Sequence, residues 1–298
     1  MKILVTGGTG FIGSVLCAQL LKNRHQVFVL SRTPEKVKPP IQGIDSLVLS
    51  YDLQLDAVIN LAGEPIADKR WSEEQKNRIR SSRIETSQKL IYYFRNASRK
   101  PKVFISGSAI GYYGVAQCNA PIDELGMGDD SFSSQLCKEW EAVALEAKAL
   151  GVRTCLLRTG IVLGNGGALK KMLPPFKLGL GGKIGTGSQW MSWIHLNDFI
   201  GIILHCMEYA SIEGPINGTA PNPVTNQGFA EALGEALNRP TFFQIPAPLI
   251  KLLMGKMGEE LLLAGKKVIP RKAVDTGYVF QFEQLEQALA NLIDAEKV

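Results

Sequence analysis

The chain is poor in the residues that hold proteins together through metals or disulfides. Its 298 residues include five cysteines and three histidines. No two of Cys17, Cys118, Cys137, Cys155 and Cys206 are spaced Cys-x-x-Cys, and their number is odd. With only His25, His195 and His205 beside them, neither a zinc site nor a disulfide framework is supported. Free thiols point to a reducing compartment. Long apolar runs are missing too. The opening "MKILV" is broken at once by "TGGTG", and no later stretch reaches the roughly 18 apolar residues of a membrane helix. Charge of one sign is not concentrated anywhere. With 33 basic and 28 acidic residues, net +5, and no run of five like charges, neither nucleic acid nor an anionic membrane is an expected partner. These absences leave a cytoplasmic protein with no metal and a small-molecule partner. At 45% hydrophobic residues it can bury one large core or a large and a smaller one.

What is present is an alternation of strand-like and helix-like segments. Lys2 to Thr6 is an apolar, β-branched run ending in "GGTG". Residues 11 to 24 then carry helical periodicity through Phe11, Ile12, Val15, Leu16 and Leu20, and Gln26 to Leu30 is a second strand. Strand, glycine turn, helix and strand make a βαβ unit. Residues 33 to 45, rich in Pro, Lys and Gly, read as a loop. "DAVINLAG" (56–63), "KVFISG" (102–107) and "RTCLLRTG" (153–160) read as strands, and residues 72–98 and 131–150 as helices. This rhythm predicts an α/β protein with a Rossmann-type, doubly wound parallel sheet. Between Gly160 and Gly187 nine glycines interrupt any regular pattern. Helices return at about 195–209 and 226–237, and the tail, with "IPAPLIKLLMG" and "EELLLAGKKVIP", reads as helical and apolar. We expect an NADP-binding domain over 1–214, including a glycine-rich substrate segment at about 161–192, and a small helical cap over 215–298. The cap is expected over the carboxyl ends of the strands, where open α/β sheets bind ligands.

The glycine spacing in "VTGGTGFIG" carries the first functional signal. Gly7-x-x-Gly10-x-x-Gly13 follows a strand and opens a helix, the context that gives such a triplet meaning. Gly7 permits a tight turn, Gly10 lets a pyrophosphate approach the backbone, and Gly13 lets the helix pack on the sheet. The helix N-terminus offers N–H groups and a positive dipole end to the anion. "GLGGKIG" (179–185) is no second cradle, because Lys183 is followed by Ile184. At the end of the second strand, where a carboxylate would bind the ribose hydroxyls, stand Ser31 and Arg32. An arginine there suits the 2′-phosphate of NADP. One charge-assisted hydrogen bond is worth roughly 1.5–3 kcal/mol, about ten- to a hundredfold in affinity.

With those residues in view the chain resembles a short-chain dehydrogenase/reductase of the extended or atypical branch. "NLAG" (60–63) is similar to that family's strand-end motif, and "WIHLNDF" (193–199) to its His-x-x-Asp segment. "NLAGEPIADKRW", "GYYG", "RTGIVLG", "MLPPFKLGLGG", "WMSWIH" and "GKKVIP" resemble a narrower NAD(P)-dependent "epimerase family" subgroup with a dedicated C-terminal domain. The resemblance implies cofactor contacts at Gly7, Thr9, Gly10, Phe11, Ile12, Gly13, Ser31, Arg32, Leu61, Ala62, Arg83 and Arg158. On the residues alone, Arg83 reads as one more charge of a charged helix, whereas Arg158 ends a buried strand and would be costly there without a partner.

The resemblance also shows what is missing. Family enzymes follow a strand-end serine with a Tyr-x-x-x-Lys pair on the next helix, the lysine lowering the tyrosine pKa for proton transfer. Ser108 matches the serine and Lys138 the lysine, but four residues before Lys138 stands Ser134. Three readings stay open: Tyr112 or Tyr113 serves as the displaced proton donor, Cys137 acts in its place, or the site holds cofactor without family-style chemistry or reduces a substrate that water protonates. His195 and Asp198 read as a strand-to-helix junction in which Asp198 caps the helix. Trp190 and Trp193 favour a substrate pocket. The function expected is NADPH-dependent oxidoreduction or epimerase-like chemistry, and the alternative is a silent NADP(H)-binding sensor or regulator.

Overall fold

The computed structural model describes residues 1–47, 52–116 and 119–294; Cys118 and the end of the expected cap, residues 295–298, lie outside the described residues. The chain begins with β1 (Lys2–Thr6), α1 (Phe11–Lys22), β2 (Gln26–Leu30), β3 (Gln42–Ile44) and β4 (Ala57–Asn60). It continues through α2 (Glu73–Asn96), β5 (Val103–Ala109), α3 (Phe132–Ala149) and β6 (Arg153–Thr159). The next stretch holds β7 (Ile161–Gly164), α4 (Gly167–Lys177), β8 (Gly182–Ile184), β9 (Trp190–Met191), β10 (Trp193–His195), α5 (Leu196–Glu208) and β11 (Gly214–Gly218). Last come β12 (Val224–Thr225), α6 (Asn226–Leu237), β13 (Phe243–Ile245), α7 (Ala247–Leu261), α8 (Arg271–Asp275) and α9 (Leu285–Asp294).

The main sheet runs β11–β6–β5–β4–β1–β2–β3, and every pairing in it is parallel. Its strands are near-continuous apolar runs because helices cover both faces. Alternation along β1 divides the core. Ile3 and Val5 face Leu16 and Leu20 of α1 and Phe199 and Ile202 of α5. Leu4 faces the other way, toward Leu90 and Phe94 of α2 and Ala144 of α3. A second core joins Leu169, Leu173 and Phe176 of α4 with Phe229 and Leu233 of α6 and Leu285 and Leu289 of α9. Among the described residues no helix is long and apolar enough to cross a membrane.

Several expectations need correction. The loop expected at 33–45 contains a short 3-10 helix at Pro34–Lys36 and the edge strand β3, which pairs with β2. A three-residue edge strand has too little pattern to be read without its neighbour. The 214/215 boundary falls inside β11, which adds to β6 and belongs to the main sheet. Two tail residues, Ala273 and Phe280, reach back into the core around α1 and α5. "EELLLAGKKVIP" is helical only to Leu261; beyond a turn, Val268 forms an isolated parallel bridge with Ile122. Between Gly160 and Gly187 the glycines bracket short elements, with α4 lying between Gly166 and Gly179.

Candidate functional site

The order of the sheet reverses between β1 and β4, and the carboxyl ends of these strands open the cleft where such folds bind ligands. Gly7 turns the chain there with φ +70, and an added Cβ would stand 2.7 Å from the Leu61 carbonyl oxygen. A Cβ on Gly13 would run into the Gly7 carbonyl, so α1 can start this close to β1 only with glycine there. Gly10 is the N-cap of α1 but brings no side chain to its first-turn N–H groups, and that turn holds no acidic residue. The cradle therefore fits an anion: donors point outward, the dipole end is positive, and nothing in the helix competes for them. Opposite, the Ala62 N–H donates to Thr6 Oγ1 (3.1 Å), whose hydroxyl donates to Asn60 Oδ1 (2.6 Å). That bond fixes Leu61 and Ala62 beside the turn that carries Thr9, Phe11 and Ile12.

At the end of β2 the Ser31 N–H donates to the Ile44 carbonyl (2.9 Å) and Ser31 Oγ accepts from the Thr33 N–H (3.1 Å). Arg32 is exposed and has no carboxylate partner among the described residues. Its fork is available to a phosphate at the strand end. Arg83, on α2, donates to the carbonyls of Glu64 and Ile79 (both 3.0 Å) and packs over the Trp140 ring at 5.3 Å. It has no ion-pair partner among the described residues, and burial pulls its pKa down. It stands directly behind Gly63, at the mouth of β4.

The serine and the tyrosines of "SGSAIGYYG" are drawn into a buried network. Arg158, 3% exposed, meets Glu141 of α3 in a two-pronged pair, Nε to Oε1 at 2.8 Å and Nη2 to Oε2 at 2.9 Å. Its Nη1 donates to Tyr113 Oη and to the Glu124 carbonyl (both 3.1 Å). The Ser108 hydroxyl donates to Glu141 Oε1 (2.7 Å) and the Tyr113 hydroxyl to Asn217 Oδ1 (2.7 Å). Glu124 closes the network by accepting from the N–H groups of Asn217 (3.0 Å) and Lys272 (3.1 Å). Arg158, expected at the cofactor, thus commits its donors inside the protein, which resolves the cost of burying it.

The two adjacent tyrosines divide. Tyr113 is buried, and burial pushes its pKa up to about 12 despite Arg158, so it is held as a neutral, bonded phenol. That corrects its candidacy as a proton donor. Tyr112 is half-buried, its ring 3.5 Å from the Arg158 guanidinium carbon and its hydroxyl without a partner among the described residues. Burial pushes the Cys137 thiol up to about 11, which leaves it inert as an acid or nucleophile near neutral pH. The family's tyrosine position is closed. Ser134 Oγ donates to the Tyr112 carbonyl (2.8 Å), Lys138 Nζ donates to the Asp129 carbonyl (2.8 Å), and the backbone at Gly128 fills the space between them.

Other expectations shift. The helix cap is His195, whose Nδ1 accepts from the Asn197 N–H (3.1 Å). Asp198 instead anchors the tail, accepting from the N–H groups of Gln281 (2.8 Å) and Phe282 (2.9 Å) and from the Tyr278 hydroxyl (3.0 Å). Trp193 is core rather than pocket, while Trp190 is half-buried, with Lys267 Nζ 4.6 Å from its ring. Glu141, Glu124 and Asn217 escaped the sequence reading. The one signal was Arg158 itself: a buried arginine demands a carboxylate, but not a particular one. The tail closes on this edge through α7, whose Glu260 carboxylate accepts from the N–H of Phe132 (3.3 Å) and the N–H and hydroxyl of Ser133 (3.0 and 2.6 Å) at the start of α3.

Comparison with known proteins agrees with this geometry. Residues 3–217 match the model of the NAD dependent epimerase/dehydratase family, and residues 245–292 match a domain of unknown function, DUF1731. The Homo sapiens "Epimerase family protein SDR39U1" is 39% identical over 297 residues, covering 98% of this chain and 100% of the relative. An Arabidopsis thaliana homologue of that protein, named as chloroplastic, is 38% identical over 301 residues, 97% of this chain and 86% of the relative. A crystal structure of human SDR39U1 (isoform 2) with NADPH superposes with a TM-score of 0.88 at 37% identity, covering 99% of both chains.

Proposed function

The chain belongs to the NAD dependent epimerase/dehydratase family, and on that premise we propose that it binds NADP(H) and acts on a small molecule as an oxidoreductase or epimerase-like enzyme. The observation that carries the reading is the uncapped start of α1 behind Gly7, Gly10 and Gly13, with Arg32 unpaired at the end of β2. The relative solved with NADPH supports the same choice of cofactor. The α1 cradle would hold the pyrophosphate, and Ser31 and Arg32 the 2′-phosphate. Leu61, Ala62 and Arg83 would line the path toward Ser108. Bound there, the cofactor supplies or takes up a hydride.

The protein's own groups limit what accompanies that transfer. The Ser108 proton is directed at Glu141, so the Ser108 oxygen is left as an acceptor and does not donate to a substrate carbonyl. Tyr112, its ring on the Arg158 guanidinium and its hydroxyl without a partner among the described residues, is our candidate for the group that gives up a proton. The closed Ser134–Gly128–Lys138 position favours a second reading, a cofactor-binding protein whose role is regulatory. Cytoplasmic residence is part of our reading and rests on the free thiols and the lack of a membrane-length apolar run.

The deciding experiment is calorimetry with NADPH and NADH on the wild type and Arg32→Asp. NADPH should bind about ten- to a hundredfold tighter than NADH, and the variant should lose that margin. Equal affinities in the wild type would refute the cofactor assignment. Turnover of NADPH with any carbonyl metabolite separates the enzyme from the regulator.

A further inference from the structure

The start of α5 leaves one donor with nothing to bond. His195, 2% exposed, caps that helix through Nδ1, which accepts from the Asn197 N–H (3.1 Å). A ring nitrogen that accepts carries no proton, so in the neutral imidazole the proton sits on Nε2. Burial pulls the His195 pKa down, against the opposing pull of Asp198 and Asn291, and favours that neutral form. Nε2–H is therefore a donor, and it is buried without a hydrogen-bond partner among the described residues. Phe282 covers one face of the ring, with centroids 3.9 Å apart. Asn291 of α9 approaches the ring but completes no hydrogen bond with Nε2.

His195 and Asn291 belong to the wall of an open cavity of about 630 Å³, a volume in the range of small-molecule sites. Its other walls are the start of α4 and the outward side of α1 at Phe11, Ser14 and Val15. These three are spaced i, i+3 and i+4, while Gly13, Leu16, Cys17 and Leu20 are the side of α1 that is buried. What the cavity offers is donors and positive charge. α4 opens on Gly166, which brings no side chain to the first N–H groups, and its first turn holds no acidic residue. Lys170 follows one turn in, exposed and without an ion pair among the described residues, whereas its neighbour Lys171 pairs with Asp68. A cation near a helix N-terminus opposes the dipole, and a bound anion relieves that opposition. No acidic residue is among the described residues that line the cavity. A buried N–H, a helix start and an ammonium all call for an acceptor.

We propose that this cavity is a binding site for an oxyanion, the phosphate or carboxylate of a small molecule, held by the His195 Nε2–H, the start of α4 and Lys170. The oxyanion reaches Nε2 where the exposed Asn291 side chain now stands, and Phe11 and Leu292 give the rest of the molecule an apolar wall. The site is separate from the cofactor cleft. Among the described residues, none of the Gly7 turn, Ser31, Arg32, Leu61 or Ala62 lines it, and Phe11 alone is common to both. The proposal goes beyond the reading of the cleft and does not depend on it.

The probes are inorganic phosphate and malonate, titrated into the full chain with and without saturating NADPH. With three histidines in the chain, each imidazole can be followed by NMR, and the His195 ring is the signal lost in His195→Asn. Asparagine keeps a cap acceptor for α5 and removes the Nε2 donor. Should that variant not fold, His25→Gln and His205→Gln identify the ring by elimination. The wild-type His195 signal should move and saturate with at least one anion, whether NADPH is present or not. The anion that acts at the lower concentration tells a phosphate from a carboxylate. Lys170→Glu, an exposed change, should raise the half-saturating concentration about two- to fivefold or more. Folded His195→Asn should need about ten- to a hundredfold more anion for the same thermal shift as the wild type. The proposal is overturned if neither anion moves the His195 signal, if Lys170→Glu leaves the midpoint unchanged, or if His195→Asn is stabilised at wild-type concentrations. It is also overturned if NADPH moves the signal as the anions do and abolishes their effect, for then the anion is the cofactor's. A protein that binds anions at His195 but does not bind NADPH would sink the cofactor reading and leave this one standing.

Discussion

Replacing Glu141 by glutamine should damage this protein more than any other conservative change on the surface of α3 or within it. The carboxylate, 5% exposed, meets both prongs of Arg158 and also accepts the Ser108 hydroxyl proton. Glutamine keeps the shape and one acceptor oxygen, but it turns an NH2 toward Arg158 and strands a cation that is 3% exposed. Breaking one side of such a pair costs about 3–5 kcal/mol. Against a total stability of about 5–15 kcal/mol, that is roughly a fifth of the margin or more. It should lower the melting temperature by roughly 5–8 °C. The double variant Glu141→Leu with Arg158→Met leaves no charge behind and should lose less than the single Glu141→Gln, although Ser108 then loses its acceptor and Tyr113 loses the Arg158 donor while keeping Asn217. Urea unfolding of the wild type, Glu141→Leu, Arg158→Met and the double variant closes the cycle, with Glu141→Gln measured beside them. A loss under about 1 kcal/mol in Glu141→Gln, or a double variant worse than the sum of the singles, would refute the reasoning.

The Asp129 carboxyl is partly desolvated, but the Ser131 hydroxyl and the N–H groups of Ser131, Val115 and Ala116 outweigh that and hold its pKa at about 2, below the ordinary 3.8. Its contribution is therefore present above about pH 4 and lost as pH falls toward 2, about 1–2 kcal/mol after solvent screening. Asp129→Asn should flatten the stability profile in that window, and a slope equal to the wild type's between pH 4 and 2 would count against the assignment. Tyr113→Phe removes a hydroxyl bonded to Asn217 and Arg158 and should cost about 1–3 kcal/mol in urea unfolding. Tyr112→Phe should leave stability nearly unchanged and lower turnover of an established substrate about a hundredfold with NADPH affinity intact; unchanged turnover would remove Tyr112 as the proton donor.

The sequence by itself determined the framework. Apolar strands alternating with helices can bury their faces in few ways, and Gly7, Gly10 and Gly13 on the first turn leave one place for an anion. These are local signals, written within about a dozen residues, and the parallel sheet and uncapped α1 follow from them. Ser31 and Arg32 are legible for the same reason, being fixed by their distance along the chain from that turn. Tertiary structure decided whatever depends on a partner far away in sequence. It chose Glu141 for Arg158, turned Tyr113 onto Asn217 and left the Tyr112 hydroxyl without a partner among the described residues. It also gave the cap of α5 to His195 and used Asp198 to hold the tail. It placed β11 in the main sheet across the expected boundary. A buried polar group must be satisfied, and the sequence states that requirement; which atom satisfies it is set only when the packed chain brings distant segments within hydrogen-bond reach.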